Sequence, residues 1–173
     1  MTWTAPDVVP TETLVGGHER PMLQSWLDFH RQTLLAKCGG LDAEQLATRP
    51  VPPSTLSLLG LVRHLTEVER GWFRVSAAGE ELPPVYASEA EPDADFDDLD
   101  TLSADRVFAA FHTELAAADT AVADLPLDHV FHIPWHPDDY TLRWVYLHMI
   151  EEYARHNGHA DLLRESIDGR TGR

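Results

Sequence analysis

The segment 141–165, TLRWVYLHMIEEYARHNGHADLLRE, constrains the fold most, because it has helical periodicity and places polar groups on its apolar side. At about 100° per residue, Leu142, Val145, Met149 and Leu163 fall on one face, the stripe an amphipathic helix turns toward a core. Glu152 and His156 fall on that same face one turn apart, with His148 and His159 flanking them. Burying such groups costs several kcal/mol unless they are hydrogen-bonded, paired or coordinated. A divalent cation would satisfy an acid and its neighbouring imidazoles together.

Three further long helices follow from spacing and punctuation. The first, about 19–38, has Pro21 in its first turn and stops at Gly39 and Gly40. A helical turn at about 42–47 and a proline-rich connector lead to the second, about 55–77, with Ser54 as cap and Leu58, Leu61, Leu65, Val68 and Trp72 on its apolar side. His64 lies at the edge of that stripe. The third, about 104–124, starts at Ser103 and buries Val107, Phe108, Phe111, Leu115, Ala118 and Val122. The fourth, capped by Thr141, runs to Glu165. Residues 1–17 read as an extended lead-in and 166–173 as a tail. The expectation is an all-α chain, a four-helix bundle in one domain over 1–173.

Two connections stand out. Residues 78–102 hold nine acidic side chains between Glu80 and Asp100 with Pro83, Pro84 and Pro92, and read as a solvated, mobile crossover or lid. EPDADFDDLD lacks the central glycine and closing glutamate of a calcium loop. LDHVFHIPWHPDDY holds His129, His132 and His136, but Pro134 and Pro137 break helical geometry, so it reads as a compact aromatic loop walling a pocket.

The net charge of −16 argues against nucleic-acid and anionic-membrane partners, since no basic patch offsets it. One cysteine excludes an internal disulfide and suits a reducing cytoplasm. The start lacks the pattern of a secretory signal, and no apolar run reaches membrane-spanning length. Cys38, beside Lys37, reads as a small packing residue, because no base is placed to activate it.

Glu152 and His156 offer oxygen and nitrogen donors, and His64, inside the second helix, is the best third ligand. Three protein ligands leave positions open for water or substrate. Spacing alone leaves a rival evenly matched, in which Glu152 pairs with Arg155 or Arg63 and His156 is merely packed. A dimetal carboxylate set, an H-E-x-x-H protease motif and a phosphate-binding glycine loop are absent, and His64-Leu-Thr-Glu67 places Glu67 off the stripe.

LVRHLTEVER of the second helix and LHMIEEYARHNGHADLLRE of the fourth resemble the DinB-like metal-binding four-helix family, closest to its mycothiol-dependent maleylpyruvate isomerase-like branch. The resemblance covers the first helix to the fourth. It implies one divalent metal on His64, Glu152 and His156, with His159 hydrogen-bonding a ligand or water. Many members carry histidine at the position of Glu152, and the glutamate variant looks like the isomerase branch. The implied cofactors are zinc, with nickel, iron or manganese as alternatives, and mycothiol or another small thiol. The implied function is S-transfer or thiol-assisted isomerisation on a small-molecule substrate by a cytoplasmic homodimer. Two other classes stand beside it: a non-catalytic, stress-related metal or ligand module, and a metal-assisted hydrolase with His159 as base.

Overall fold

Helical spacing between glycine and proline breakers produces the longest elements of the computed structural model, which describes residues 3–172 apart from 89, 92, 98, 101 and 102. Glu89, Pro92, Asp98, Thr101 and Leu102 of the acidic segment therefore lie outside the described residues, as do Met1, Thr2 and Arg173 at the ends. The first helix, α1, spans Glu19–Cys38 and ends at Gly39, followed by Gly40 at φ 77°. A short α2, Ala43–Ala47, is closed by a capping box in which Asp42 accepts from the Gln45 amide and the Gln45 side chain answers to the Asp42 amide. The lead-in is not free: Thr4 bridges Asp42, and buried Ala5 donates its amide to the Leu41 carbonyl.

The second long helix begins later than Ser54 suggests and changes character midway. Ser54 spends its hydroxyl on the Leu56 amide after the prolines, and the buried Ser57 hydroxyl caps α3, Leu58–Glu69, by accepting from Gly60. From Arg70 to Ala77 the chain is a π-helix. It closes with an i→i+5 bond from the Ala78 amide to the Phe73 carbonyl. That widened turn puts Arg70 and Arg74 on one carboxylate, Glu114, at 2.6 and 3.0 Å. α4, Ala104–Ala121, follows Ser103, whose hydroxyl donates to the Asp100 carbonyl and caps nothing.

The aromatic segment corrects a second expectation. It is no irregular loop but an antiparallel hairpin, β1 Val130–His132 with β2 Asp139–Thr141, registered Phe131 against Tyr140. Of its histidines only His132 lies on a strand; His129 precedes β1 and His136 lies in the turn between the strands, so the three are held in different settings. Thr141 then accepts from the Trp144 amide and starts α5, Leu142–Asp168, three residues longer than expected. Gly169, at φ 77°, supplies its left-handed end.

The chain is thus mostly helical, compatible with the all-α class expected. α1 packs along α5, α3 along α4, and α3 also against α5. One hydrophobic cluster joins them, with Leu27, Leu46, Leu65, Phe111, Val145 and Met149 fully out of water. Each such side chain contributes about 1.5–3 kcal/mol relative to exposure. Among the described residues no helix is long and apolar enough to cross a membrane.

Candidate metal centre

α3 and the π-helix that continues it cross α5 so that Trp72 meets Trp144 and His148, while His64, two turns earlier, meets His156 with ring centroids 4.9 Å apart. Helical i,i+4 spacing puts Glu152 and His156 into the same volume. Glu152 Oε1 lies 3.3 Å from His64 Nε2 and 3.2 Å from His156 Nε2. Donor atoms of the three residues all fall within 4.8 Å of one another. Glu152 and His156 are buried, and His64 retains 22% of its side-chain exposure. The centre therefore has one side open to solvent.

The far nitrogen of each histidine is already engaged. His64 Nδ1 is 2.8 Å from Asp95 Oδ2, and His156 Nδ1 is 3.3 Å from His159 Nδ1. A proton held on His64 Nδ1 by Asp95 leaves Nε2 with a lone pair facing a carboxylate oxygen. Two lone pairs at that distance repel unless a cation, either a proton or a metal ion, stands between them. Without a metal, a proton does so. Burial opposes a charged His64, but the hydrogen bonds to Asp95 and Glu152 outweigh it and push its pKa up to about 9. The rings of His156 and then His64 hold the Glu152 carboxyl far below the usual carboxylate range, against its burial. Burial, aided by His156, lowers the pKa of His159 and favours its neutral form.

The rival pairing of Glu152 is present on its other oxygen. Arg155 Nη1 lies 3.4 Å from Glu152 Oε2, while the same guanidinium holds Glu151. Arg63 goes elsewhere: it donates to the Ala94 and Asp97 carbonyls and covers the Tyr86 ring. Glu67 is off the site as expected, and accepts from the Tyr86 and Ala87 amides. His148 stacks on Trp144 at 4.8 Å and takes no part. His129 reaches the Ala77 carbonyl, His132 pairs with exposed Asp139, and His136 accepts from the Asp138 amide.

Sequence reasoning missed Asp95. The acidic segment was expected to be solvated, yet Asp95 is 6% exposed and Phe96 stacks on the His64 ring at 4.8 Å. The available signal was Phe96 itself, an aromatic anchor in an otherwise acidic run.

No curated protein matches the chain. The family model for mycothiol S-transferases matches residues 22–169, which takes in α1 from its first turn, the acidic segment that carries Asp95, and the whole of the His64, Glu152 and His156 cluster. A match over most of the chain, in a mostly helical fold, shows that this chain belongs to the mycothiol S-transferase family, a DinB-like family.

Proposed function

We propose that the chain is a divalent-metal-dependent S-transferase that joins the sulfur of mycothiol, or a similar small thiol, to an electrophilic small molecule. The supporting observation is the convergence of two imidazole nitrogens and a carboxylate oxygen within 4.8 Å on two different helices. That donor set fits a divalent ion, zinc first, with nickel, iron or manganese accepted by the same chemistry. A single four-helix-bundle domain over residues 1–173 is the scaffold in this reading.

His64, Glu152 and His156 would hold the ion. When bound, it supplies Lewis acidity that lowers the pKa of a thiol and makes the sulfur nucleophilic. The chain does the rest. Asp95 and His159 occupy the distal ring nitrogens and direct both Nε2 atoms inward. Arg155 keeps the second oxygen of Glu152 turned aside. A cavity of about 310 Å³ begins at Glu67 and Val68, one turn beyond His64, and is walled by Trp72, Val75, Leu82 and Trp135. Its apolar lining suits the electrophile's carbon skeleton.

In this reading the protein works in the cytoplasm on small molecules, without nucleic-acid or membrane partners, as its charge of −16 favours. A homodimer belongs to the same reading, and Leu147 and Leu162 on α5 and Trp26 on α1 are exposed apolar side chains open to such a contact. The test is consumption of mycothiol in the presence of an alkylating electrophile. Metal-loaded protein accelerates it, and chelated protein or His156→Ala does not. Equal rates with and without metal would remove the proposal.

A further inference from the structure

The strap of residues 93–97 is fastened to α3 and to the connector that precedes it by groups that have no part in the donor set. Arg63 donates to the Ala94 carbonyl at 2.7 Å and to the Asp97 carbonyl at 3.2 Å. Arg49 donates to the Phe96 carbonyl at 2.8 Å and to the Asp97 carboxylate at 3.0 Å. Gly60, one turn before His64, makes room for the strap: a Cβ there would stand 3.2 Å from the Phe96 ring and 3.1 Å from the Ser57 hydroxyl. Within the strap, the Phe96 and Asp97 amides both donate to the Asp93 carbonyl, closing a tight turn.

This turn aims one buried carboxylate at one ring. Asp95 Oδ1 accepts from the Phe96 amide at 3.0 Å, which fixes the carboxylate plane. Oδ2 is left for His64 Nδ1 at 2.8 Å, while Phe96 stacks on the His64 ring. Imidazole Nδ1 and Nε2 compete for one proton when the ring is neutral, so an acceptor on Nδ1 decides which nitrogen has the lone pair.

We propose that Asp95 is a positioning residue, delivered by the acidic strap, that fixes His64 in the tautomer and orientation with Nε2 free to bind a divalent cation. It acts through His64 and touches no reacting atom. The inference rests on the metal-centre reading above and assigns a task to the acidic segment, which composition alone marks as a solvated connection.

The two arginine latches and the Phe96 stack do not depend on the Asp95 carboxylate, so removal of that carboxylate need not release the strap. The experiment is competition of zinc alone against a chromogenic chelator for wild type, Asp95→Ala and Asp95→Asn. Ring-nitrogen NMR of zinc-loaded, histidine-labelled protein accompanies it. Loss of an outer hydrogen-bond partner weakens metal binding by about 10–100-fold. Asp95→Ala is expected to lose that much affinity, and Asp95→Asn less, because the amide oxygen still accepts from Nδ1. In wild type the His64 Nδ1 proton is expected to exchange slowly, and in both variants faster. If Asp95 only anchors the strap, thermal stability falls while zinc affinity stays within about twofold, and that result overturns the inference. Should Asp95→Ala fail to fold, Asp95→Asn decides: affinity and Nδ1 exchange both equal to wild type overturn it equally. A wild-type protein that takes up no zinc removes the metal centre and this inference together. Wild type and Asp95→Ala binding alike removes only the role of Asp95.

Discussion

Cys38 shows what burial does to a single side chain that looks reactive on paper. Lys37 beside it suggests a lowered thiol pKa, but the thiol is fully buried, and desolvation pushes it up to about 12 despite the pull of Arg164. Native protein is therefore expected to resist a thiol-specific reagent that labels it fully in denaturant. Cys38→Ser, which buries a hydroxyl with no assured partner, is expected to cost about 1–3 kcal/mol in urea unfolding and leave zinc affinity unchanged. Rapid native labelling would contradict this. At the same scale, the site was legible to unequal degrees. Glu152 and His156 declare themselves because both lie on one helix, where an i,i+4 spacing is a distance. His64 carries no such mark in spacing; its place inside the second helix makes it the best third donor, and the family resemblance adds to that choice. Asp95 was barely legible: Phe96 beside it marks an anchor in the acidic run, but nothing local connects the carboxylate to a ring 31 positions earlier; only the docked strap does.

Between elements, two charge clusters decide how the helices meet. Arg31 of α1 is bidentate to Glu69 of α3 at 2.7 Å, and the Tyr153 hydroxyl of α5 donates to the same carboxylate, all buried. Glu69→Leu strips the buried Nε and Nη2 of Arg31 of their carboxylate and leaves only Nη1 paired, with the half-exposed Asp28 and Asp119, so it is expected to cost about 3–5 kcal/mol. The double change Arg31→Met with Glu69→Leu is expected to cost less than Glu69→Leu alone. A double variant as unstable as the sum of the single changes would contradict the pairing. Glu114 of α4, between Arg70 and Arg74, gives a pH signature. Burial raises its pKa, but the two guanidiniums lower it more, to a net value below 4.5. The stability it contributes is therefore full above that unfolded value and is lost as pH falls through the folded one. Glu114→Gln is expected to be less stable than wild type at pH 7, with the gap narrowing as pH falls below about 4.5 in urea titrations. A gap that widens in acid would contradict the assignment. Helix existence was readable from periodicity, and Thr141 and Gly39 from capping chemistry. The π-helix from Arg70 to Ala77 was not, since no local spacing marks it and the carboxylate that Arg70 and Arg74 share stands on another helix. The hairpin at Val130 was hidden by its prolines, which lie in the turn and leave both short strands free to pair.

Over the whole molecule, α3 and α5 bring the candidate ligands together, and the acidic strap closes behind His64. The large negative charge is mostly solvated surface, with Asp95 as the acid turned inward at the centre's outer edge. The central claim is that three side chains from two helices hold one cation with room left for a sulfur. Cobalt(II)-substituted protein titrated with a small thiol tests it most directly, because sulfur bound to cobalt produces a charge-transfer band. The account predicts a band that saturates at one equivalent of thiol per cobalt in wild type and is absent in His64→Ala, Glu152→Ala and His156→Ala. Wild-type protein that binds no cobalt, or an unchanged band in any of the three variants, would contradict it.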